Sequence, residues 1–151
     1  MAKITRNHQL LGRVHSDEIG SLWECSVNLQ PGYQIGLSMI VEENWKVVDP
    51  DVIFAAAVEY LEFASRFEKK CRNRIAADLL PLYNRSWASE SEYGQLPRKA
   101  FSELVTPKSI TLYHDGSATW LYDCGSMFGG HAITICIGAN HSFVGKAGLF
   151  G

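Results

Sequence analysis

The sequence predicts an α+β fold: an antiparallel sheet of about six strands, as an N-terminal three-strand meander and three C-terminal strands, with about two to three central helices packed on one face. Three observations carry this. Two stretches before residue 42 alternate apolar and polar residues with the period of a half-buried strand. A central stretch repeats its apolar residues every three or four positions, as a helix does. From Ser109 to Gly138, two short apolar runs are joined by His114-Asp115-Gly116-Ser117 and followed by Ala132-Ile133-Thr134-Ile135-Cys136-Ile137, apolar on both parities. Such a run belongs inside a sheet and not at its edge.

The elements follow in order. Leu10 to Val14 reads as a first strand, with His15 to Gly20 as its turn. Leu22 to Leu29 places Trp23, Cys25, Val27 and Leu29 on one side and Glu24, Ser26 and Asn28 on the other. Gln30-Pro31-Gly32 supplies a turn, and Tyr33 to Val41 resumes the alternation with Tyr33, Ile35, Leu37, Met39 and Val41 inward. Asp49-Pro50 starts a helix, because Asp caps free N–H groups and Pro is tolerated at the first helical position. Ile53, Ala57, Tyr60, Ala64, Phe67 and Cys71 form its apolar row, widened by Phe54, Val58 and Leu61. A break is expected between Lys70 and Asn73, since an unbroken helix past thirty residues is long for such a domain. A second helix then runs through Leu80 and is kinked or ended by Pro81. Ser86 to Leu96 reads as the longest loop, and Pro97 to Val105 as a short helix burying Ala100, Phe101, Leu104 and Val105. If Asp115-Gly116 is the two-residue turn of the next hairpin, Ile110, Leu112, Thr119 and Leu121 share one face. Thr111, Tyr113, Trp120 and Tyr122 then share the other.

Composition narrows the function. The 151 residues fit one domain, 1–151, able to bury roughly 70% of its unfolded surface. Apolar residues make up 46% and charged residues 20%, the balance of a globular chain. A net charge of −2 gives no overall field to recruit nucleic acid or an anionic membrane. No run approaches the length of a membrane span, and Met1 to His8 lacks the apolar centre of a signal peptide, so a cytoplasmic location is expected. Cys25, Cys71, Cys124 and Cys136 form no C-x-x-C pair and fall on apolar rows, so all four are expected to be reduced and mostly buried.

The best polar constellation is His131 with Asp123 and the His114-Asp115 turn. Neutral imidazole and carboxylate are the usual metal ligands and proton carriers, so these four residues would serve a metal-assisted hydrolase. No spacing ties the carboxylates to a histidine, and a histidine beside Gly-Gly at a strand entrance also serves to cap a sharp turn. Gly125 to Gly130 lacks a Gly-Lys-Ser ending and precedes a strand, which rules out a phosphate loop. No Gly-x-Ser-x-Gly occurs to present a serine nucleophile.

Two features suit binding. Tyr113, Trp120 and Tyr122, if uncovered, make an aromatic sheet face; Trp87 and the polar loop are the candidates to cover it. Arg66, Lys69, Lys70, Arg72 and Arg74 stand against Glu68 alone and form a basic island that faces solvent or an acidic partner.

Leu79-Leu80-Pro81-Leu82-Tyr83-Asn84-Arg85-Ser86-Trp87, then Ser109-Ile110-Thr111-Leu112-Tyr113-His114-Asp115-Gly116, then Met127-Phe128-Gly129-Gly130-His131-Ala132-Ile133 resemble, in this order, a bacterial family known as domain of unknown function 2262. The resemblance is best over residues 76–151 and assigns no residue a catalytic role. Small bacterial α+β families of this kind turn up as immunity or accessory proteins beside toxins, an analogy of context only. The expected function is thus a non-enzymatic protein-binding module, immunity-like or accessory, with a toxin domain as a fitting partner. It needs no cofactor or metal, and a homo-oligomer stays open. The metal-assisted hydrolase is the alternative.

Overall fold

Among the described residues, eight strands hydrogen-bond in chain order into one mixed sheet, and a single long helix crosses one of its faces. The computed structural model describes residues 4–17, 21–29, 32–41 and 49–151. Strands β1 (Ile4–His8), β2 (Gly12–Ser16), β3 (Leu22–Leu29) and β4 (Tyr33–Ile40) form an antiparallel meander. Helix α1 (Pro50–Leu82) and helix α2 (Arg98–Leu104) follow, and β5 (Thr106–Tyr113) returns parallel to β4. Strands β6 (Ala118–Asp123), β7 (Ala132–Ile137) and β8 (Gly148–Phe150) complete an antiparallel second half. The expected antiparallel sheet of six strands with two to three helices is corrected: the sheet has eight strands and is mixed, under one long helix and one of seven residues.

Each departure has a physical cause. The N-terminal meander gains β1, held by antiparallel pairing with β2; it is exposed along nearly its whole length and so carries no apolar period to reveal it in the sequence. Its turn closes on His8, whose Nδ1 accepts the N–H groups of Leu10 and Leu11, so part of the expected strand from Leu10 is turn. Of the expected turn at His15 to Gly20, His15 and Ser16 belong instead to β2 and residues 18–20 lie outside the described residues, as do residues 30 and 31 of the expected turn at Gln30 to Gly32. The sheet becomes mixed because α1 leads away from β4 and the chain comes back beside that strand in the same direction, as a crossover helix allows.

The helix does not break near Lys70. Phe54, Ala57, Tyr60, Ala64, Cys71, Ile75, Ala76 and Leu79 bury one continuous stripe, and two ion pairs at i,i+4, Glu68–Arg72 and Arg74–Asp78, cover the expected break. Asp49 caps the start by accepting the Asp51 N–H at 3.0 Å. Pro81 acts one residue before the end: the chain passes at Leu82 into a π-helical turn, Tyr83–Trp87, and then a short 3₁₀ turn, Ala88–Glu90. Helical turns thus occupy the first part of the expected loop from Ser86. At 33 residues α1 is about 50 Å long, enough to cross eight strands about 35 Å wide. Phe54 meets Trp23 of β3 edge-on, Tyr60 and Phe67 meet Trp120 of β6, and Arg74 reaches the segment before β8.

In the β5–β6 hairpin the chain turns through three residues, not two. Tyr113 and Ser117 face each other, Gly116 sits at φ 87° where glycine is favoured, and Asp115 accepts the Ser117 N–H at 2.9 Å. Ile110 therefore pairs with Trp120 and Leu112 with Ala118. A shift of one residue turns every side chain of a strand over. Trp120 and Tyr122 go into the core beside Ile110 and Leu112, while Thr119 and Leu121 go to the open face with Thr111 and Tyr113.

Candidate functional site

The expected aromatic face does not exist as such. Trp120 and Tyr122 are both 0% exposed, and the Trp120 indole N–H donates to the Tyr60 hydroxyl at 2.8 Å beneath α1. The cover is the long helix, not the loop; Trp87 instead packs edge-on against Phe128 and His131. Tyr113 alone of the three stays half-buried, on the opposite face.

The basic island divides. Arg66, Lys69 and Lys70 are exposed. Arg72 is held by buried Glu68, donates to the Tyr33 hydroxyl at 2.7 Å and lies over the Tyr33 ring. Burial works against the Arg72 charge, yet Glu68 and Tyr33 outweigh it and raise its pKa. Arg74 pairs with Asp78, donates to the Gly145 carbonyl and covers the Phe143 ring. Cys71 and Tyr122 lie near Glu68 in the core, and burial first, then neighbouring negative charge, pushes both well above their ordinary values. This cluster is structural: its charges are spent on one another.

The four residues of the hydrolase alternative do not converge. His114 and Asp115 occupy the turn at one end of β6, and Asp123 and His131 flank its other end, a separation of about 20 Å along the strand. Asp115 caps its own turn and Asp123 accepts the Gly125 N–H at 3.0 Å. The His131 backbone N–H closes a turn on Phe128, and its carbonyl accepts from Cys124 Sγ. Among the described residues, no three His, Cys, Asp or Glu side chains come together as a metal site. Cys25, Cys71 and Cys124 are buried, and burial raises the Cys25 and Cys124 thiols to about 11. Cys136 is the exposed one of the four and points from β7 to the open face, so the thiols are mostly buried.

A site that no sequence motif announces lies at the carboxyl ends of the parallel pair β4 and β5. There a cavity of about 330 Å³ opens between the strands, the N-terminal half of α1, the hairpin turn and residues 139–141. Its body is apolar, built by Met39, Val41, Ile53, Ala56 and Leu112. Glu59, Tyr60, His114 and His141 supply the polar groups. Burial raises Tyr60 to about 12, against the lowering effect of the Trp120 N–H, so its hydroxyl stays protonated at neutral pH. His141 holds φ at 62°, a conformation uncommon outside glycine, and stacks on Phe63 with 3.8 Å between ring centres. Strained backbone of this kind gathers at ligand sites. Carboxyl ends of neighbouring parallel strands are also where α/β sheets receive ligands. His114 was legible as part of a turn; Glu59, Tyr60 and His141 become neighbours only through the crossover, so spacing along the chain could not find them.

Fold and site define a mixed-sheet α+β protein with a long crossing helix and a small, mostly apolar pocket beside the parallel β4–β5 pair. The chain belongs to the bacterial family of domain of unknown function 2262, described as an uncharacterized protein conserved in bacteria, whose model matches residues 8–147. The match takes in β2 to β4 as well as the stretch from residue 76 to 147. Searches among curated proteins and among solved structures found no match.

Proposed function

We propose that this protein is a non-enzymatic binding module that takes a small, mostly apolar molecule with one polar end in the pocket beside β4 and β5. The cavity is the observation that carries the reading: its volume lies at the lower end of the range for small-molecule sites, and its apolar walls with few polar groups have the usual composition of one. Four free cysteines fit a reducing compartment, and the cytoplasm is the location proposed with it. No helix among the described residues is long and apolar enough to cross a membrane.

Indole, hexanoate and cyclohexanol, each of about ten heavy atoms or fewer, are suitable probes for amide-resolved NMR titration. At least one should shift resonances of Ile53, Ala56, Leu112 and His141 together. Ala56→Phe fills the cavity from an exposed helix position and should weaken that binding at least about tenfold, or about 1.4 kcal/mol. If no probe perturbs the pocket, or Ala56→Phe binds equally well, the proposal fails. Exposed Arg66, Lys69 and Lys70 favour a second reading, an acidic protein partner such as a toxin domain, steered to α1 by charge.

A further inference from the structure

The face of the sheet turned away from α1 carries a feature that neither the pocket nor the fold explains. Strand pairing lines up Ser26, Gly36, Ser109, Leu121, Thr134 and Gly148 in one row from β3 to β8. The next row runs Glu24, Ser38, Thr111, Thr119 and Cys136. None of these residues is buried, and Glu24, toward one margin, is their one charge. An ordinary soluble surface would interleave several.

The two glycines are the sharper observation. Gly36 lies inside β4 and Gly148 opens β8, where glycine weakens a strand and offers nothing to pack. Neither has a left-handed backbone. A Cβ would meet Ser109 Cβ at 3.8 Å from Gly36 and Thr134 Cγ2 at 3.9 Å from Gly148, ordinary contacts both. The chain on its own therefore gives no reason for glycine at either place. Glycine in a strand also marks close approach by another backbone or a ligand, and here both glycines share one row.

We propose that this face is where two copies of the chain meet, sheet against sheet. The five strands β3 to β7, about 4.8 Å apart and about 17–20 Å long, give roughly 450 Å² of flat footprint, and side-chain relief raises this toward the roughly 800 Å² per partner of a standard interface. Across these two rows the single charge leaves little repulsion between two identical surfaces, and exposed Asp123 stands on the same face at the end of β6. Leu121 is the one large side chain of its row and lies two strands from Gly36, with Ser109 between. A two-fold axis over Ser109 sets Leu121 of each copy above Gly36 of the other, the self-complementary contact such symmetry requires. The aligned packing of two sheets suits it.

Light scattering and sedimentation velocity between about 1 and 100 µM, a range that catches a dissociation constant in the micromolar region, test the proposal. The wild-type chain should reach twice the monomer mass. Gly36→Lys and Thr119→Lys should each be monomeric with unchanged far-UV circular dichroism, and Thr119→Lys settles the matter should Gly36→Lys fail to fold. The Cys136 thiol of the wild-type chain should react at least about tenfold more slowly at the concentration where it is dimeric than after dilution to monomer. Lys69→Glu, on the opposite side of the molecule, should stay dimeric. A wild-type monomer at the highest concentration, a dimer that survives Thr119→Lys, or one lost in Lys69→Glu would overturn it.

Discussion

Asp78 shows how much one side chain near the end of α1 holds together. Its Oδ2 accepts from Arg74 Nε at 2.9 Å and from the Ala147 N–H at 3.0 Å, tying the helix to the segment that leads into β8. Burial alone would raise its pKa, but the Ala147 N–H and Arg74 outweigh it and hold the carboxyl below its ordinary value of 3.8. A depressed carboxylate stabilises the fold above its unfolded pKa, and that stability is lost as pH falls through the folded one. Asp78→Asn should therefore melt below wild type at pH 7, and the gap should close as pH is lowered from about 4. A gap that persists unchanged at pH 2 would show that shape and not charge does the tying.

At the scale of the element, α1 is the unusual part, because its buried stripe includes a carboxylate. Glu68 is 2% exposed and survives there because Arg72, one turn on, pairs with it. Breaking a buried pair leaves an uncompensated charge, whereas replacing both partners by apolar residues is often neutral or stabilising. Arg72→Ala should cost about 2–3 kcal/mol in urea unfolding, the low end because Arg72 is partly solvated, and Glu68→Leu with Arg72→Met should recover most of it. A double variant as weak as Arg72→Ala would mean that the pair itself, and not the desolvation of Glu68, supports the helix. The expected break at Lys70 to Asn73 rested on length alone; the i,i+4 pairing that overrides it was already written in the spacing of Glu68, Arg72, Arg74 and Asp78.

For the molecule as a whole, the parallel β4–β5 junction matters most. It joins two antiparallel halves into one sheet, and α1 lies across both, so neither half buries its apolar face without the other. Unfolding should be a single transition, coincident by far-UV circular dichroism and tryptophan fluorescence, since Trp23 reports the first half and Trp120 the second. Two separated transitions would show that the halves fold independently.

The inward faces of β3 and β4, the capped start of α1, the short helix before β5 and the interior place of β7 were all determined by the sequence. Each rests on local chemistry: period-two alternation, an Asp cap before Pro, an apolar run. Strand β1 escaped because an edge strand with no buried face has no period to read. The depth of Trp120 and Tyr122 was decided by a three-residue turn in place of a two-residue one, a difference of one residue that reverses both faces of a strand. The pocket was decided by the crossover alone. Glu59 and Tyr60 on the helix, His114 at a turn and His141 after β7 have no shared spacing, and only the return of β5 beside β4 brings them to one cavity. Local patterns reveal which residues are buried; long-range pairing decides which of them meet.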